Sequence, residues 1–283
     1  MLRSREGLKN QIRTGPRSRV RAAGGCGLLI VLALLSSSAA ADGTQFRALG
    51  GSARPHRAYF DGGGVRTRYR FAARRPVDLT IRIVRLADQR VVRGFLARRA
   101  EPGRSHELHW GGRTWAGDPA PDSHYAVLAG RRGHRLRRIA GFLLHGHLFP
   151  VRGRHGTRGA IGEFGAPRSG GRVHEGFDVT AACGTRLAAA RGGRVLRTGF
   201  DPVLYGWFVL IDGRSERRNY FYAHLRARPP VGGGERVRTG QRIGAVGRTG
   251  NARSTPCHLH FELRRHGRAF DPESALRRWD RWS

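Results

Sequence analysis

The segment Leu79–Leu86, LTIRIVRL, alternates apolar and polar residues strictly from Leu79 to Ile83, the period of a β-strand with one buried face. Short runs of the same kind follow at Thr67–Phe71, Val91–Leu96, Glu107–Trp110 and His124–Leu128, with turn residues such as Ala87-Asp88-Gln89-Arg90 between them. There is no heptad pattern, internal repeat or long helical period to compete with this reading, and 42 glycines favour turn-rich β structure. A chain of 283 residues, 39% hydrophobic, can build two cores. The expected fold class is therefore all-β: an antiparallel β-sandwich over 42–140, a linker over 141–171 rich in Gly, Arg and His, and a second antiparallel β domain over 172–283. Strands of the second domain are expected at Thr185–Ala190, Arg194–Thr198, Trp207–Asp212, Asn219–His224, Arg242–Gly247 and His258–Leu263.

The N-terminus reads as an export signal over 1–41. Arg13, Arg17, Arg19 and Arg21 precede an apolar run from Gly27 to Leu35, and small residues follow to Ala41. The run is short for a bilayer span, so cleavage and an extracellular or wall-associated product are expected. The alternative is an uncleaved N-terminal anchor with the rest of the chain facing outside. Cys26 precedes the apolar core, which argues against a lipoprotein. Cys183 and Cys257 would then remain in the mature chain. An even number in an exported protein points to one disulfide, and the competing reading makes Cys257 a metal ligand. Closing a loop of about 75 residues would stabilise the fold by roughly 4 kcal/mol in the chain-entropy treatment.

A net charge of +33 and a pI near 11.9 raise the question of nucleic acid. The cations are nearly all arginine, Lys9 being the one lysine, and they are scattered along the chain as a GC-rich coding bias would scatter them. No basic run or basic-aromatic pattern marks a nucleic-acid module, so no specific nucleic acid is expected as partner. Anionic wall polymers would still be attracted in a salt-dependent way. No obligate protein partner is inferred.

Three pieces carry chemistry. In His174-Glu175-Gly176-Phe177-Asp178 the first and last residues share a face of an extended segment, and in His258-Leu259-His260 the two histidines do the same. The third is His224, at the end of the apolar strand NYFYAHL. Two histidines and a carboxylate match the ligand count of a catalytic zinc site, which keeps one position for water. The remaining histidines would be available for proton transfer and charge stabilisation. Spacing alone does not say which of His258 and His260 would bind metal. A second His-x-His, His145-Gly146-His147, lacks a carboxylate partner and reads as structural.

In context these pieces become specific. HEGFDV (174–179), YAHL (222–225) and HLHFEL (258–263), with GTRLAAARGGRVLRTG, VGGGERVRTGQRIGAVGRTGN and the closing FDPESAL, resemble the LytM/lysostaphin-type zinc metallopeptidases over about 148–276. The resemblance implies a two-sheet antiparallel fold with a narrow groove, Zn2+ held by His174, Asp178 and His260, and catalytic roles for His224 and His258. It implies peptidoglycan peptides as substrate and a secreted zinc metalloendopeptidase as function. The alternative is a catalytically silent member that binds peptidoglycan or activates another hydrolase. An upstream asparagine that blocks the metal in self-inhibited relatives cannot be placed in this sequence. The Cys183–Cys257 pair resembles one carried by some exported members, which supports the disulfide. Glu262 could orient a histidine or lie on the surface, and Tyr205 could line the groove, with a core role the safer expectation. Separately, VRLADQRVVRGFLARRAEPGRSHELHWGGRTWAGDPAPDSHYAVL resembles an Ig-like domain family found in the flagellar hook-capping protein. That implies a spacer or binding module, with Trp110 and Tyr125 as core residues.

Overall fold

Alternation in the first half becomes eight strands in the computed structural model, which describes residues 46–283; the signal-peptide reading lies outside the described residues. The strands are β1 (Arg47–Arg54), β2 (Arg57–Tyr59), β3 (Val65–Ala72), β4 (Val77–Arg85), β5 (Arg90–Ala100), β6 (His106–Trp110), β7 (Ser123–Arg131) and β8 (Arg137–His145). They form a three-stranded sheet, β1-β3-β6, and a five-stranded sheet, β2-β8-β7-β4-β5. Leu79, Ile81 and Ile83 point into the shared core beside Phe71, Val127 and Leu144, while the intervening positions face outward. Trp110 and Tyr125 are buried there, their rings 5.5 Å apart. One pairing is parallel, β2 against β8, where a wholly antiparallel arrangement was expected. Only three residues of β2 run along the edge, too few to leave a readable period. β8 was likewise not expected: its burial does not alternate, because the β7–β8 register shifts between Val127 and Leu128.

The second half contains β9 (His155–Thr157), β10 (Phe177–Ala181), β11 (Arg186–Ala188), β12 (Gly193–Asp201), β13 (Gly206–Gly213), β14 (Asn219–Leu225), β15 (Arg236–Val237), β16 (Arg242–Ala245), β17 (His258–Arg265), β18 (Arg268–Phe270) and the helix α1 (Glu273–Asp280). The main sheet runs β15-β12-β13-β14-β17-β10-β9 with β18 on β17, and β11 pairs with β16 beside it. Leu259, Phe261 and Leu263 of β17 enter a core built with Tyr220, Tyr222, Val209 and Ile211. The two-turn helix buries Ala275, Leu276 and Trp279 against the same core. At eight residues it is too short to announce itself by periodicity.

The stretch 141–171 contains the end of β8, β9 and two short 3-10 turns, and its Phe149 and Val151 belong to the second core. Across the junction of the two halves, Thr239 Oγ1 donates to Phe60 O at 2.6 Å and Arg214 pairs with Asp61 at 2.7 Å. His145 is buried and stacks on Trp282 at 4.3 Å, and His147 stacks on Trp279, so this His-x-His packs against the C-terminus. No helix among the described residues is long and apolar enough to cross a membrane.

Candidate active site

Strand period and register assemble the site on the centre of the main sheet. On β17 the apolar residues face the core, which puts His258, His260 and Glu262 on the other face. Antiparallel pairing sets Asp178 of β10 directly across from His260, and Ala223 of β14 across from it on the other side. His174 lies before β10, and Gly176 allows the close approach: a Cβ there would stand 2.7 Å from His260 Cε1.

Three ligand atoms meet. His174 Nε2 is 2.8 Å from His260 Nδ1, and Asp178 Oδ1 is 3.0 and 3.1 Å from these two nitrogens. Hydrogen-bond partners fix the tautomers. His174 Nδ1 faces the carbonyl of Glu163 at 2.7 Å and His260 Nε2 faces the carboxylate of Glu262 at 2.8 Å, acceptors both. The outer nitrogens therefore carry the protons, and two imidazole lone pairs and a carboxylate oxygen point at one another. Only a cation, a proton or a metal, satisfies that arrangement. Tetrahedral zinc with ligands near 2.1 Å separates its donors by about 3.4 Å, a few tenths of an ångström beyond the contacts here, and two imidazoles with one carboxylate are donors that zinc takes. Burial opposes charge on Asp178, yet the imidazoles of His174, His260 and His258 around it hold its carboxyl well below the usual carboxylate range, which requires a proton shared among these groups wherever no metal takes its place. Burial also works against a proton on His260, but Asp178 and Glu262 carry it up to about 9, so a proton is the metal's competitor.

His224 and His258 stand beside this cluster, their rings 4.9 Å apart. His258 Nδ1 donates to Pro256 O and His224 Nδ1 to Thr249 O, each at 2.8 Å, which leaves both Nε2 atoms with lone pairs. His258 Nε2 lies 3.8 Å from Asp178 Oδ2. Burial lowers both rings' proton affinity, and with repulsion from His260 and His258 it takes His224 down to about 3. Both are neutral at neutral pH and able to accept a proton.

The backbone aims His224. Ala223 and His224 together oppose Phe208 in a β13–β14 bulge, and His224 adopts φ 59, a left-handed conformation uncommon outside glycine. Its N–H donates to Tyr205 O at 2.8 Å. Thr249 Oγ1 accepts from Trp207 N at 3.0 Å and donates to Leu225 O at 2.8 Å. Gly206 makes room: at φ 59, a Cβ would fall 2.1 Å from Thr249 Oγ1.

A cleft of about 660 Å³ opens over these groups. One wall comes from 158–175, the other from Leu204, Tyr205, Asn251, Ala252 and Thr255. Tyr205 lines the cleft and at the same time packs edge-on against Phe221 at 4.8 Å in the small cluster with Phe208 and Ala223, so it fills both the groove role and the core role expected of it. Glu262 is fully buried and bonds both His260 and Arg264, so the surface alternative is excluded. Cys183 and Cys257 form a disulfide, which removes Cys257 from the ligand candidates. Thr249, Arg158 and Arg168 were not anticipated. Their signal is tertiary, and only the neighbouring Gly250 hints that the backbone at Thr249 is constrained.

Residues 172–272 match Peptidase family M23. The chain is 35% identical over 140 residues to a lipoprotein NlpD/LppB homolog of Pseudomonas aeruginosa, covering 50% of this chain and 43% of that protein. It is 39% identical over 103 residues to the DD-carboxypeptidase/endopeptidase Mpg of Neisseria meningitidis serogroup B, covering 36% and 23%. It is 39% identical over 92 residues to the peptidoglycan DD-endopeptidase ShyC of Vibrio cholerae, covering 32% and 20%. The chain spans less than half the length of each of these relatives.

Proposed function

Taking residues 172–272 as a Peptidase family M23 domain, we propose that the protein is an exported zinc metalloendopeptidase that hydrolyses peptide bonds in peptidoglycan. The carrying observation is the convergence of His174, Asp178 and His260 beside two further histidines whose Nε2 atoms are unprotonated. In this reading the three hold zinc, which makes a water nucleophilic near neutral pH and polarises the amide carbonyl. His224 and His258 do the proton work: Nε2 of one accepts the proton of the attacking water, and the protonated ring delivers it to the departing amine. The other ring donates a hydrogen bond to the oxygen on which charge develops. Burial of both rings excludes water and fixes their orientation. Names of two relatives, a DD-carboxypeptidase/endopeptidase and a peptidoglycan DD-endopeptidase, support the substrate class.

The Ig-like reading of the first half belongs to the same proposal, with the role of a spacer or a binding module. The rival is a silent member of the fold, favoured by similarity to a relative named only as a lipoprotein; five filled positions speak against it. Purified protein incubated with cell walls should release amines, and the release should stop on chelation and return with zinc. Zinc-loaded protein that releases none would establish the silent reading, and release that survives complete metal removal would sink the zinc mechanism.

A further inference from the structure

One wall of the cleft holds cations that the proposed chemistry leaves unused. Arg158, Arg168 and Arg172 all line it from the 158–175 side, whereas the opposite wall has no charged residue. Arg158 Nη1 donates to Asp178 Oδ2 at 3.0 Å, and Arg168 Nη2 stands 4.0 Å from the same oxygen. Two guanidiniums thus share one carboxylate, whose other oxygen faces His174 and His260. Glu175 lies on this wall too, but among the described residues it pairs with none of the three arginines.

Arg168 is fixed by its own backbone surroundings. Its Nη1 donates to Pro167 O at 3.1 Å and its Nη2 to Ile161 O at 2.8 Å, which leaves three of its five N–H donors without a partner. The Arg158 and Arg168 side chains are 18% and 25% exposed, so their charge is less screened than that of a surface arginine. A planar fork of fixed donors matches a carboxylate through two parallel hydrogen bonds.

We propose that Arg158 and Arg168 form a subsite for a free carboxylate on the peptide substrate, next to the amide bond that is cut, with Arg172 attracting it at the rim. The subsite rests on the peptidase reading and narrows it to acidic peptides. Either an α-carboxylate at the chain end or a side-chain carboxylate would supply the chemistry.

The test measures binding, apart from turnover. Full-length protein treated with chelator is titrated calorimetrically with three short peptides: acetyl-D-alanyl-D-alanine, its carboxamide, and an amidated peptide with one side-chain carboxylate. At least one acid should bind about tenfold tighter than the neutral carboxamide, the scale of a charge-assisted hydrogen-bond pair. Which acid does so identifies the source of the carboxylate. In Arg168→Gln the gap should close to within about twofold, with the carboxamide's affinity unchanged. Should that variant lose melting temperature, Arg168→Lys keeps the charge without the fork, and the gap must still shrink. Equal binding of all three peptides, or a gap that persists in both Arg168→Gln and Arg158→Gln, overturns the subsite. Wall cleavage absent with acid preference intact counts against the peptidase reading alone.

Discussion

Thr249 accepts the Nδ1 proton of His224 on its carbonyl at 2.8 Å, and its hydroxyl repairs the sheet where His224 breaks it. Trp207 and Leu225 are register partners, yet Thr249 Oγ1 sits between the N–H of one and the carbonyl of the other. A left-handed conformation at a non-glycine residue costs on the order of 1–3 kcal/mol and persists only where its surroundings over-determine it. Here the inserted hydroxyl does so, and one residue sets both the backbone and the ring of His224.

Thr249→Val should therefore lower kcat roughly 10- to 100-fold, a part of what a well-aimed proton-transfer group contributes. KM and zinc content should change little, because no metal ligand moves. Thr249→Ser restores the hydroxyl and should restore most of the rate. Equal losses in the valine and serine variants would mean that packing, not the inserted hydroxyl, matters.

His224→Ala and His258→Ala should each lose about 10²- to 10⁴-fold in kcat while binding close to one zinc per chain. His174→Ala, Asp178→Ala and His260→Ala should lose the metal itself, since three ligands leave no spare. Metal content by emission spectroscopy beside turnover on cell walls separates the two classes. A zinc-free His258→Ala protein would exchange the roles of His258 and His260.

The division of roles marks how far the sequence could be read. Strand period put His258, His260 and Glu262 on one face, and alternation at Leu79–Ile83 named one sheet's core face, because period two is local. Family resemblance, not spacing, singled out His260 over His258. What stayed hidden is tertiary: the bulge at His224, the inserted hydroxyl of Thr249, the arginines brought onto Asp178 by a loop, and the β2–β8 parallel edge. Each depends on which segments meet, and no local period encodes that.

Glu262 orients His260 from behind, with Oε1 at 2.8 Å from Nε2 and Oε2 at 2.5 Å from Arg264 Nε. Burial alone would raise its pKa, but His260 and Arg264 hold it below the usual glutamate range, so it is a buried anion. Glu262→Gln should weaken zinc binding about 10- to 100-fold, with activity recovered at saturating zinc. Competition with a chelator of known affinity measures it. An unchanged zinc affinity would remove Glu262 from this role.

Glu216 offers a pH test away from the metal. It accepts from His147 at 3.2 Å and from the Tyr220 hydroxyl, and it lies 3.5 Å from Arg191, which is 3% exposed. Burial opposes its charge, but His147 and Arg191 bring its pKa below the ordinary 4.5. A lowered folded-state value means the native state binds fewer protons than the unfolded chain. The contribution to stability is therefore complete above pH 4.5 and is lost as pH falls through the folded-state value. At neutral pH Glu216→Gln should destabilise by roughly 3 kcal/mol, because it leaves Arg191 buried without its counter-charge. Melting curves of the two proteins should converge as the pH drops below 4.5, the wild type losing what the variant never had. A gap in melting temperature that stays constant from neutral to acidic pH would assign the loss to packing and not to the ion pair.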